Sequence, residues 1–130
     1  MASNTNTLKR MEVKYIRDGV KSRYPTKVSC AICGTTEDLE LHHYNTVNLL
    51  WDKWKADNNI IVKDAAHITL IREDFYTKYA KELMVDVATL CNTHHKKLHA
   101  IYGKEPPLLT APKQEKWVMI QKEKLDVRET

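Results

Sequence analysis

Three short stretches hold all three cysteines and five of the six histidines. They are Cys30-Ala31-Ile32-Cys33-Gly34, Leu39-Glu40-Leu41-His42-His43-Tyr44 and Leu90-Cys91-Asn92-Thr93-His94-His95-Lys96-Lys97-Leu98-His99. Cys30-x2-Cys33 and Cys91-x2-His94 are two ligand pairs with the spacing that lets one ion be chelated twice. Thiolates and an imidazole in tetrahedral array suit Zn2+, and four protein ligands make a closed, structural site. The bland alternative is buried free thiols. Three cysteines cannot all pair within one chain, and in a reducing setting a C-x2-C spacing suggests a metal rather than a disulfide. Such a site adds about 10–16 kcal/mol of apparent binding energy to folding.

Once His94 is given to zinc, His95 and His99 are left at i, i+4, one turn apart on one helical face. His94 lies about 100° away around the helix, so one helix can serve two sites. The other allotment, with His95 on zinc, turns His94 toward Leu98 and wastes the pair. His42 and His43 end a strand, where neighbours point to opposite faces. One of them can ligate while the other acts on a water, provided the chain bends there. Three imidazoles on one divalent ion leave positions open for a phosphate oxygen and water. Read blandly, His42 and His43 are surface strand residues and His99 is helix decoration. That explains any one of these histidines, but not four that complete a two-site pattern.

The elements that must position these residues follow from periodicity. Residues 7–24 read as a helix, with Leu8, Met11 and Tyr15 on one stripe and Ile16 and Val20 beside it. Gly19 weakens its last turn, and Tyr24-Pro25 marks its end. Its bases Lys9, Arg10, Lys14, Arg17, Lys21 and Arg23 could touch phosphates, but most read as the wet face of an amphipathic helix. Residues 28–34 suggest a short strand ending in a knuckle. Residues 39–43 follow as a strand with Leu39, Leu41 and His43 on one face and Glu40 and His42 on the other. Val47, Leu50, Trp51 and Trp54 fit a core-facing helix. Ile71, Phe75, Tyr79 and Leu83 suggest a second one, and His67 between them reads as structural. Residues 84–90 suggest a strand leading into a helix over 92–102, with Gly103 suited to its C-terminal cap. After Pro106-Pro107, a last helix from Pro112 carries Trp117 and Ile120 and either docks or extends along DNA.

Cys-x2-Cys, then Leu-His-His, then a strand ending Leu-Cys-x2-His-His-x3-His together resemble the HNH endonucleases with their ββα-metal fold. The likeness is greatest to the small, free-standing, zinc-containing enzymes common in bacteriophages. It spans Cys30 to His99, with residues 45–81 as an insertion and no family signal in the terminal helices. It implies an α+β fold: a ββα-metal core with a structural zinc knuckle and added N-terminal, inserted and C-terminal helices. It also implies a metal-dependent phosphodiesterase that cuts or nicks DNA in a phage-infected bacterial cell. His43 takes the place of the general base. His42, His95 and His99 take the places of the ligands to Mg2+, Mn2+ or Ni2+, beside a structural Zn2+ on Cys30, Cys33, Cys91 and His94. Asp86 falls where the family has its middle asparagine. An aspartate there can accept a hydrogen bond from the His43 imidazole and raise its basicity, but cannot donate one while ionised. Lys96, Lys97 and Lys104 flank the metal helix as phosphate contacts.

The 130 residues read as one domain: an N-terminal helix over 1–24, a zinc-bound core over 25–104 and a helical tail over 105–130. Charged residues make up 29% and the net charge is +4, compatible with a polyanionic partner but weak evidence alone. No apolar run approaches the ~20 residues that span a bilayer, and the polar N-terminus lacks a signal-peptide core. A cytoplasmic setting and no membrane partner are therefore expected, with monomer and homodimer both open. The rival readings are a catalytically silent, zinc-stabilised nucleic-acid-binding module and a zinc-bound adaptor between proteins. Neither has a use for His42, His43, His95 and His99 together.

Overall fold

Leu39-Glu40-Leu41-His42-His43 alternates as a half-buried strand should, and it forms β1 (Leu39–His43), antiparallel to β2 (Val87–Cys91). Leu39 stands opposite Cys91, Leu41 opposite Thr89 and His43 opposite Val87. A computed structural model of the chain describes residues 2–24 and 27–129. The proline of the expected Tyr24-Pro25 boundary lies outside them. Among the described residues the sheet is joined by six α-helices, giving an α+β architecture. They are α1 (Ala2–Lys21), α2 (Val47–Asp57), α3 (Ala65–Lys78), α4 (Ala80–Met84), α5 (Asn92–Tyr102) and α6 (Ala111–Glu129).

Helices α1, α2 and α3 close one core. Val47, Leu50, Trp51 and Trp54 are all buried, as their helical spacing requires. Trp51 stacks on Trp54 with ring centroids 5.3 Å apart and meets Phe75 edge-on at 5.1 Å. Ile16 and Val20 of α1 and Ile68 of α3 complete it, each such side chain contributing about 1.5–3 kcal/mol on burial. Tyr76 donates from its hydroxyl to the Ile16 carbonyl at 2.8 Å. A Cβ at Gly19 would collide with that same hydroxyl oxygen. Gly19 therefore sets how closely α1 and α3 approach, a role its helix-weakening tendency does not reveal.

Helix α1 begins before residue 7 and ends at Lys21 rather than Tyr24, and three further elements differ from their sequence expectation. The 71–83 period is split at Tyr79, whose φ of −110° and ψ of 31° end α3 and begin α4, although Phe75 and Leu83 on either side are both fully buried. The strand expected over 84–90 begins only at Val87, because Met84 still closes α4. Residues 28–34 form turns, with a single sheet-like bond from the Ala31 N–H to the Thr89 carbonyl at 2.8 Å. A strand would point Cys30 and Cys33 to opposite faces. The chain instead folds back through Cys30 N–H to Thr35 carbonyl at 2.8 Å and Gly34 N–H to Cys30 carbonyl at 3.0 Å, with Gly34 at φ 75°.

A smaller second core lies between the sheet, α5 and α6, formed by Cys30, Ile32, Tyr44, Ala88, Leu90, Cys91, Leu98, Ala111 and Val118. The C-terminal helix thus docks on the sheet side of the molecule, after a 3-10 turn over Leu108–Thr110.

Candidate metal centres and active site

Helix α5 begins immediately after β2, with Cys91 extended at φ −71° and ψ 160°. This junction brings the Cys91 sulfur within 3.2 Å of His94 Nδ1 and 3.8 Å of the Cys33 sulfur, while Cys30 Sγ lies 4.0 Å from His94 Nδ1. All four donor atoms fall within 4.8 Å of one another. Sulfurs on a tetrahedral ion with bonds of about 2.3 Å stand about 3.8 Å apart, so the group has the dimensions of a closed four-ligand site. Burial works to raise the Cys30 thiol, but the amides of Cys33, Cys91 and Ile32 outweigh it and hold the group below its usual range. Those amides favour the thiolate that a metal takes. Cys33 moves the other way, raised by its burial and by the neighbouring sulfurs.

From Cys91, α5 runs back over the face of β1 that carries Glu40 and His42. His95 fits between those two side chains: its Nδ1 donates to Glu40 Oε1 at 2.8 Å, and its Nε2 lies 3.1 Å from His42 Nδ1. One turn on, His99 brings its Nε2 to 3.0 Å from His95 Nε2, and its Nδ1 donates to the Gly103 carbonyl at 2.8 Å. Gly103 holds φ 95° to end the helix there. His42 is buried, and its Nε2 donates to Gln114 Oε1 at 2.8 Å. Each outer nitrogen therefore gives its proton to an oxygen. Three inner nitrogens are left as bare lone pairs facing one another. Lone pairs repel unless a cation lies between them, and nitrogens bound at right angles about 2.1 Å from an ion sit about 3.0 Å apart. The donor set and its outer partners fit a divalent ion.

The chain bends after His43, so this side chain turns away from Glu40 and His42 yet still lines the cleft that His42, His95 and His99 line. Its Nε2 donates to the Leu83 carbonyl at 3.0 Å, leaving Nδ1 able to accept a proton. Burial, with smaller contributions from Arg17 and Lys21, pushes its pKa down to about 4 despite the Leu83 bond. His43 is thus neutral across the physiological range. Residues 1–128 match the phage T5-type nicking endonuclease family, over nearly the whole chain. The chain belongs to the nicking endonuclease family. Membership implies a DNA endonuclease, a hydrolase, and the match takes in the terminal helices and residues 45–81 as well as the Cys and His motifs. No solved structure matches the chain. No helix among the described residues is long and apolar enough to cross a membrane.

In this nicking endonuclease Asp86 does not reach the imidazole it was expected to orient. Its carboxylate pairs with Lys81 Nζ at 2.8 Å, and the His43 ring finds the Leu83 carbonyl instead. The cause is the end of α4, which runs to Met84 and presents a free carbonyl where an extended strand would have presented a side chain. Of the expected phosphate contacts, Lys104 lines the histidine cleft, whereas Lys96 and Lys97 are exposed on α5 outside its lining. Arg17, read mainly as wet face, lines the cleft together with Lys104, and Lys21 lines the adjoining groove with Glu40 and His95. Lys9 and Arg23 on the same helix are held by Asp52 and Glu73, each at 2.7 Å, while among the described residues no acidic group bridges Arg17 or Lys21. His67 is structural: its Nδ1 accepts from the Lys63 N–H at 3.1 Å at the start of α3.

Proposed function

We propose that the protein is an HNH-type nuclease of the ββα-metal kind that hydrolyses a DNA phosphodiester bond in one strand. His43 is the general base, His42, His95 and His99 hold a divalent ion, and Cys30, Cys33, Cys91 and His94 hold a structural zinc. The observation that carries this reading is the convergence of three bare imidazole nitrogens beside a fourth, neutral histidine in one cleft. A nucleic-acid-binding module without catalysis has no use for that arrangement.

His43 takes the proton of a water through Nδ1 while Leu83 fixes its ring. The new bond forms from the water oxygen to phosphorus as the P–O3′ bond breaks; the departing O3′ takes a proton from solvent water and His43 returns its own to solvent, leaving a 5′-phosphate and a 3′-hydroxyl. With its pKa lowered to about 4, His43 is deprotonated at pH 7 and free to accept that proton, as a weaker base than an ordinary imidazole. Arg17 and Lys104, which both line the cleft, face the phosphodiester and offset its charge. When bound, the divalent ion (Mg2+, Mn2+ or Ni2+) supplies charge stabilisation for the phosphoryl group and the departing oxygen.

The test is conversion of supercoiled plasmid by zinc-loaded protein with and without Mg2+ or Mn2+. Nicked circles that accumulate ahead of linear product, and only with the added ion, support the reading. Cleavage that proceeds equally in chelator would contradict it.

A further inference from the structure

Gln114 is a polar side chain with no exposed surface, carried on the first turns of α6. Its amide nitrogen donates to the Tyr44 carbonyl at 3.1 Å and to Thr110 Oγ1 at 2.9 Å. Thr110 spends its own hydroxyl proton on the Pro107 carbonyl at 2.6 Å, so it meets Gln114 only as an acceptor. With both N–H groups committed, the amide oxygen must face His42 Nε2, at 2.8 Å. Turning the amide over would set its oxygen against two acceptors and its NH2 against the imidazole proton. A carbonyl can only accept, so His42 carries its proton on Nε2 and its lone pair on Nδ1. That Nδ1 is the atom 3.1 Å from His95 Nε2.

We infer that Gln114 is a positioning residue for the histidine centre: the relay Pro107–Thr110–Gln114 locks His42 in the tautomer that offers Nδ1 to a divalent cation. The inference rests on the three-histidine reading above. The corresponding partners of the other two rings are an exposed carboxylate, Glu40, and a backbone carbonyl, Gly103. Gln114 is the buried, neutral member of the set, and it lies on a different element. Docking of the C-terminal helix is thereby tied to the cation affinity of a site built on β1 and α5.

Two readouts on the full, zinc-loaded chain test this. Long-range 1H–15N spectra of 15N-histidine-labelled protein, with no second ion added, report the tautomer of His42. Calorimetric titration with Mn2+ reports affinity. Wild type is expected to show the Nε2–H form. Gln114→Leu is expected to show a mixture and to bind Mn2+ about 10–100-fold more weakly. Gln114→Glu, which still accepts from Nε2, keeps the tautomer. Thr110→Val, which only loosens the relay, shifts both readouts in the same direction by less and carries the test if Gln114→Leu does not fold. A wild-type tautomer and wild-type Mn2+ affinity in Gln114→Leu would overturn the inference, as would an Nδ1–H form in wild type. If the tautomer shifts in Gln114→Leu but wild type itself binds no Mn2+, the histidine-centre reading fails and the hold of Gln114 on His42 stands.

Discussion

The two cores of this protein are built on different principles. The one between α1, α2 and α3 contains Trp51, Trp54, Phe75 and Tyr76 within a continuous aromatic contact. The one between the sheet, α5 and α6 has Leu90 and Leu98 as its fully buried large aliphatics and includes the sulfurs of Cys30 and Cys91, two of the proposed zinc ligands. The first has enough apolar area to hold itself together. The second places polar and ionisable groups where apolar ones would have been more stabilising, and on the proposed reading bound ions reconcile them. Stability and chemistry are thus separated along the chain, with α1 contributing to both: Ile16 and Val20 face the aromatic core and Arg17 faces the cleft.

The largest effect should come from breaking the ion-dependent side. Cys30→Ser removes a ligand from the proposed zinc site, and a structural zinc supplies about 10–16 kcal/mol of apparent binding energy. Circular dichroism melts should show the sheet, α5 and α6 failing to fold, with zinc content lost. A melt matching wild type would erase the distinction between the two cores. Phe75→Ala strikes the other side. It should cost about 3–5 kcal/mol in urea unfolding while the folded fraction keeps its full zinc. Loss of zinc in step with that destabilisation would mean the cores are one cooperative unit.

Acidification separates the halves more gently. His42 and His43 are both held near a pKa of about 4, chiefly by burial, against about 6.5 in an unfolded chain. Between those values the unfolded state binds more protons than the folded one. Their contribution is complete above about pH 6.5 and is lost as pH falls toward 4. In protein stripped of ions by chelator, the urea midpoint should fall steadily over that window. A flat profile would show that these rings are not buried neutral.

How much of this was readable in advance divides along the same line. The spacing of Cys30, Cys33, Cys91 and His94, and of His95 and His99, depends on helix and strand periodicity alone, and the structure brings together the two groups that this spacing selects. The helix 92–102 and the strand 39–43 appear with the bounds expected for them. The fold-back at Cys30–Gly34 is present as expected, but the strand expected to lead into it is not, although Val28-Ser29-Cys30-Ala31-Ile32 has strand composition. The requirement that two sulfurs meet outweighed it. Asp86 was placed by counting back along a motif, and counting cannot see that α4 extends far enough to offer a carbonyl in its place. Gln114 left no trace, since its partner His42 lies 72 positions away and a glutamine in a lysine-rich helix reads as solvated. Gly19 and Arg17 were visible as residues but not as contacts, because each acts on a neighbour distant in sequence.

A smaller effect sharpens the division within α1. Arg17→Ala should leave the unfolding free energy within about 0.5 kcal/mol of wild type, as an exposed substitution does. It should weaken DNA binding and lower the slope of log affinity against log salt by about one. The same change at Lys9, which is engaged by Asp52, should leave that slope unaltered. Equal slopes for the two variants would return Arg17 to the wet face.

The central claim is the division of labour between His43 and the three-histidine centre, and His43→Ala tests it most directly when nicking rate and Mn2+ affinity are measured on the same preparation. The account predicts a folded protein that binds Mn2+ as wild type does and nicks plasmid about 10²–10⁴-fold more slowly, the range for loss of a general base. Nicking at the wild-type rate, or a loss of Mn2+ binding that accompanies the loss of nicking, would contradict it.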